Sequence, residues 1–107
     1  MFDSNVKNVS ATEAYKLIKA DKEFVIFDVR SKEEYDNGHI PGAKLVPVQV
    51  LPSMIDELDK YKDKKVLVYC ESGRRSPIAV DTLEDNDFTN IYHLSRGIAS
   101  WKYDISK

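Results

Sequence analysis

The chain has one cysteine, Cys70, among 107 residues, which excludes an intramolecular disulfide and a zinc site assembled from several thiolates. Long hydrophobic runs are also missing. The most apolar stretches, Phe24 to Phe27 and Val66 to Cys70, fall far short of the ~20 residues that span a bilayer, so no membrane association is expected. Met1 to Ser4 lacks the basic and apolar regions of a signal peptide, and a cytoplasmic location is expected. There is no surplus of positive charge either: the net charge is -2 with Lys and Arg scattered along the chain, which gives nucleic acid no basic face to bind. No internal repeat or low-complexity segment is present. What remains, 42% apolar and 32% charged residues, has the balance of one ordinary core, and a single domain over 1–107 is expected.

Strand and helix signals alternate along that domain. Val6 to Val9 can pair as an edge strand. Ser10 and Glu13 have capping-box spacing, and Ala14, Leu17 and Ile18 continue at helical spacing, which predicts a helix from Thr12 to Ala20. Phe24 to Val29 is a short, β-rich apolar run that suits a strand covered on both faces. Ser31 and Glu34 repeat the capping box, with Gly38 as the stop. His39 to Ala43 reads as a turn, Lys44 to Val46 as a short strand and Ser53 to Tyr61 as a helix. Val66 to Cys70 is a second buried strand. Ser76-Pro77 has the N-cap and first-turn chemistry of another helix. Asn90 to Leu94 is a last strand and Ile98 to Tyr103 a terminal helical turn. Such alternation predicts an α/β fold with a mostly parallel sheet and helices on both faces.

Cys70 ends the most apolar strand, and ligands in open α/β sheets bind beyond the carboxyl ends of strands. The residues Glu71, Ser72, Gly73, Arg74 and Arg75 then lead into the helix that opens at Ser76, so backbone N–H groups and the positive end of the helix can converge on one point. That environment favours a thiolate over a thiol, and the same donors would stabilise a persulfide sulfur or an oxyanion. A cysteine after Val-Leu-Val-Tyr is ordinarily an inert core residue; the polar, tightly turning segment after it points to reactivity. Gly73 lets the loop curl with an open centre. Arg74 and Arg75 oppose the helix dipole, which a compensating anion would explain, and at least one is expected to contact the substrate or brace the loop. Glu71 would repel an anionic substrate unless it points outward. His39 and His93 read as satisfied turn or surface residues, and Tyr15, Tyr35 and Tyr61 as packing residues with solvated hydroxyls.

Taken together, Asp28-Val29-Arg30, Glu34-Tyr35, Gly38 to Ala43, Val68-Tyr69-Cys70 with Ser72 to Ser76, and Gly97-Ile98 with Trp101 resemble the single-domain rhodanese family in order and spacing. The resemblance runs from Ser10 to Trp101. It implies a five-stranded parallel sheet and a persulfide on Cys70 cradled by Glu71 to Ser76, with Asp28 and Arg30 organising the neighbouring loop. The implied reaction is a double displacement. Cys70 would take sulfane sulfur from a small donor, thiosulfate or a persulfide, and pass it to a thiol or cyanide acceptor without metal or organic cofactor. A persulfide carrier fed by a protein partner in a sulfur relay, and a regulatory rhodanese-like interaction domain, are the alternatives. The phosphatase and arsenate-reductase branch of the same fold places its arginine six positions after the cysteine; Ser76 stands there in this chain, which favours sulfur over a tetrahedral phosphate. Two departures stand out: Arg96 where the family commonly has a glycine, and Asp87 where a glycine is frequent before Phe88.

Overall fold

The structure is a computed structural model that describes residues 6–107; Met1 to Ser4, read above for leader features, lie outside the described residues. No helix among those residues is long and apolar enough to cross a membrane. Strands β1 (Lys7–Val9), β2 (Val25–Asp28), β3 (Lys44–Leu45), β4 (Val66–Tyr69) and β5 (Ile91–Leu94) alternate with helices α1 (Ala11–Ala20), α2 (Lys32–Asp36), α3 (Leu51–Leu58) and α4 (Ser76–Asp85). The five strands form one sheet in the order β1-β5-β4-β2-β3, and every pairing is parallel. The expected α/β architecture is therefore present.

Its central strands β2, β4 and β5 are buried along their whole length, as the continuous apolar runs demand, because both faces are covered. On one face Val25, Phe27, Val66, Val68 and Ile91 pack with Leu51 and Leu58 of α3 and Ala79, Val80 and Leu83 of α4. On the other, Ile26, Leu67, Tyr69, Tyr92 and Leu94 pack with Ala11 and Ala14 of α1, and Tyr35, Ile98 and Trp101 close the cluster. Cys70 falls on the α4 face, two positions beyond Val68.

Both capping boxes form: Ser10 with Glu13 and Ser31 with Glu34 each exchange side-chain and backbone hydrogen bonds. Other expectations are corrected. Helix α3 starts at Leu51 with Pro52 in its first turn, ends at Leu58, and is followed by a 3-10 turn over Asp59–Tyr61. The last helical segment is a 3-10 turn confined to Ile98–Ser100; Trp101 is already extended, and Ser106 pairs with His39 across an isolated bridge. Ser76 is not an N-cap. Arg75 holds that position without a side-chain cap, and Ser76 is the first residue of α4, with its hydroxyl facing Cys70 and His93. The Tyr35 hydroxyl is not solvated, since it donates to the Ala43 carbonyl at 2.8 Å. Asp87 takes the left-handed conformation, φ 69°, which accounts for the glycine expected there.

Candidate functional site

Cys70 sits where β4 ends and the loop to α4 begins, 1% exposed. Its Sγ receives the N–H of Gly73 at 3.1 Å and that of Ser76 at 3.4 Å, and lies 3.3 Å from Ser76 Oγ. Burial pushes the thiol pKa up. Hydrogen bonds from the Ser76 hydroxyl and from the backbone of Ser76, Arg75 and Gly73 outweigh burial, and the net shift is downward from the ordinary value. The first turn of α4 adds its unpaired N–H groups and the positive end of its dipole at the same point.

Two glycines let the segment after β5 lie against this loop. Gly73 has φ 91°, and a Cβ there would overlap the Ser95 carbonyl; Gly97 has φ 66°, and a Cβ there would run into the Glu71 and Cys70 carbonyls. Ile98 N–H and Ala99 N–H then bond the carbonyls of Cys70 and Glu71, each at 3.0 Å. The cradle is thus clamped by backbone on its outer side.

Asp28 and Arg30, separated from Cys70 in sequence, build a buried network beside it. Arg30 Nε and Nη2 donate to both Asp28 oxygens, and Nη2 also reaches the Gly38 carbonyl at 2.7 Å. The Tyr69 hydroxyl donates to Asp28 Oδ2 at 2.7 Å and accepts the Ile40 N–H at 3.1 Å. Burial lowers the Arg30 pKa, but the bonds and charge of Asp28 raise it further, so the guanidinium stays charged. Burial, followed by the Asp28 charge, holds Tyr69 protonated. Arg30 Nη1 turns outward to Glu71 Oε1 at 3.1 Å. The Glu71 carboxylate is therefore neutralised sideways, which removes the repulsion expected from it.

Arg75 braces the loop: its two terminal nitrogens meet the two oxygens of Glu34 at 2.9 and 2.8 Å. Ser72, Arg74 and Arg96 are exposed, and Arg74 and Arg96 form no ion pair among the described residues. The sequence reading missed three participants, Tyr69, His93 and Asn8. Tyr69, taken as part of an apolar run, is a polar anchor for Asp28. His93, taken as a turn or surface residue, is buried, with Nε2 bonded to Ser76 Oγ at 2.5 Å and Nδ1 to Asn8 Oδ1 at 2.9 Å. His39 is a satisfied turn residue, its ring stacked on Tyr35 and its Nδ1 2.9 Å from the Tyr35 carbonyl.

The sequence that builds this strand, cysteine loop and helix N-terminus matches the family model described as Rhodanese-like domain over residues 10–104. The chain belongs to that family. A rhodanese-related protein from Thermoplasma volcanium superposes with a TM-score of 0.82 at 30% identity, over 94% of this chain and 97% of that one. The uncharacterized protein YibN of Escherichia coli is 32% identical over 92% of this chain and 68% of its own length. The putative sulfur carrier protein YrkF of Bacillus subtilis is 29% identical over 92% of this chain. This rhodanese-like chain spans 52% of YrkF.

Proposed function

We propose that this rhodanese-like protein is a sulfurtransferase that carries sulfane sulfur as a persulfide on Cys70. The observation that supports it most is the convergence of Gly73 N–H and Ser76 N–H on Sγ, with Ser76 Oγ 3.3 Å away. The Cys70 thiolate attacks the outer sulfur of thiosulfate, forming the S–S bond of the persulfide as the donor S–S bond breaks and sulfite departs. Cyanide or an acceptor thiolate then attacks the outer sulfur, and Cys70 leaves as the thiolate. Charge is conserved in both steps, and the loop donors face negative sulfur throughout. Exposed Arg74 and Arg96 add positive charge around the loop for an anionic donor. Ser76 rather than an arginine stands six positions after Cys70, which favours a sulfur atom over a tetrahedral phosphate in the loop.

Incubation with thiosulfate and cyanide is expected to yield thiocyanate, and Cys70→Ala to yield none; equal activity in that variant would sink the reading. The relative named as a putative sulfur carrier supports a second reading, in which a partner protein loads Cys70. Intact-mass measurement would then show one added sulfur after treatment with a desulfurase, with little turnover of thiosulfate.

A further inference from the structure

His93 is linked to the Cys70 sulfur through the Ser76 hydroxyl, and the sulfur-transfer steps above give it no task. It is 7% exposed, and Ser76 and Cys70 are buried with it. Both ring nitrogens are engaged. Asn8 Oδ1, 2.9 Å from Nδ1, is an acceptor only, so Nδ1 carries a hydrogen and Nε2 faces the Ser76 hydroxyl as an acceptor. Ser76 Oγ in turn presents a lone pair to Cys70 Sγ at 3.3 Å. The hydrogen bonds therefore run in one direction, from the thiol through Ser76 and His93 to Asn8.

We propose that His93 is the proton acceptor for Cys70, acting through the Ser76 hydroxyl as a positioning residue. This rests on the sulfurtransferase reading only in needing Cys70 as a thiolate. The Cys70 S–H bond breaks as a new bond to Ser76 Oγ forms; the original Ser76 hydroxyl proton passes to His93 Nε2. Nothing is oxidised or reduced, and the trio keeps its net charge. Afterwards Ser76 donates to the thiolate, His93 donates to Ser76, and Asn8 still accepts from Nδ1.

The surroundings suit such a pair. His93 pairs in register with Asn8 of β1 and Val68 of β4 and meets Ser76 of α4. Of the charged groups of the loop, Arg75 is engaged by Glu34 and Glu71 by Arg30, and Arg74 is exposed. Burial alone lowers the His93 pKa, and no carboxylate among the described residues raises it. A lone imidazolium is thus disfavoured there, and a lone thiolate carries the same desolvation cost. Moving the proton between them creates both charges together with one hydroxyl between, so the two groups titrate as a coupled pair.

Two measurements, neither using a sulfur donor, test this. Nitrogen-15 NMR of wild type is expected to show His93 Nε2 protonated between about pH 6 and 7, and the ring neutral over the same range in Cys70→Ala. Iodoacetamide alkylation of Cys70 at about pH 6 is expected to slow roughly ten-fold in His93→Gln, one pKa unit, with the high-pH plateau unchanged. Gln keeps hydrogen bonding to the Ser76 hydroxyl but takes up no proton. Ser76→Ala, which retains the backbone N–H, is expected to slow alkylation similarly. A neutral ring in wild type, or superimposable alkylation profiles, would overturn the proposal. A protein that shows this coupling yet makes no thiocyanate loses the sulfurtransferase reading and keeps this one.

Discussion

The carboxylate of Glu34 closes the capping box of α2 and at the same time grips both terminal nitrogens of Arg75. One side chain thus fixes the start of a helix and the last residue of the cysteine loop together. A lysine at 75 keeps the charge but lacks the planar fork, so it supplies at most one of the two bonds. Arg75→Lys is expected to cost less than about 1 kcal/mol in stability, because the pair is partly exposed and screened. Thiocyanate formation is expected to fall about ten-fold in kcat/KM, since an ångström-scale shift of the loop N–H groups misaligns the attacking sulfur.

The same pair makes an acid-dependent contribution. The Arg75 hydrogen bond, against the opposing effect of burial and with help from Ser31, lowers the Glu34 pKa from 4.5 to about 2. A folded-state pKa below the unfolded value means stability that is present above pH 4.5 and is lost as pH falls toward 2. Glu34→Gln removes that linkage. Urea midpoints of wild type and Glu34→Gln are expected to differ at neutral pH and to converge across that window; a constant gap would mean that Glu34 carries no depressed pKa.

Two glycines with similar φ but different surroundings separate conformational strain from steric overlap. Gly42 has φ 85° and open space, with nothing within 4 Å of where a Cβ would sit, whereas a Cβ on Gly73 meets the Ser95 backbone. Gly42→Ala is expected to cost about 1–2 kcal/mol, the left-handed penalty, with Cys70 reactivity unchanged. Gly73→Ala is expected to cost more and to raise the pH midpoint of Cys70 alkylation, because the loop must shift and carry its N–H away from Sγ. Chemical denaturation and iodoacetamide kinetics on the two variants check both halves.

What could be read from the sequence was what is local in it. Ser10 with Glu13 and Ser31 with Glu34 satisfy neighbouring donors, so their helix starts were legible. The loop after Cys70 was legible for the same reason, since its donors lie within six residues of the sulfur. Ser76 misled because its hydroxyl had two local uses: capping α4, or facing a sulfur six residues earlier. Only the loop's curvature decides between them. Asn8, His93 and Tyr69 were not legible as site residues because sheet register, not sequence distance, brings them there. Asn8 and His93 lie 85 positions apart, and Tyr69 and Asp28 lie 41 apart. Tyr69 also reads as an apolar β-former, and nothing local marks the buried carboxylate its hydroxyl serves.

That carboxylate gives an ordering of stabilities. In Tyr69→Phe, Asp28 Oδ2 keeps its bond from Arg30 Nη2, so the main loss is the acceptor for the Ile40 N–H. One buried donor left unpaired costs about 1–3 kcal/mol. In Asp28→Asn the shape is kept, but the Arg30 guanidinium, 4% exposed, loses its buried counter-charge. An uncompensated buried charge costs about 3–5 kcal/mol, and the half-exposed Glu71 carboxylate on Arg30 Nη1 offsets only part of that. Urea unfolding is therefore expected to rank wild type above Tyr69→Phe and Tyr69→Phe above Asp28→Asn, with similar m-values if the native fold is retained. Arg30 also orients Glu71 beside the cysteine, so Asp28→Asn is expected to lower thiocyanate formation as well, through loss of that alignment. If Tyr69→Phe proved the more damaging of the two, the hydroxyl rather than the ion pair would be the centre of this network.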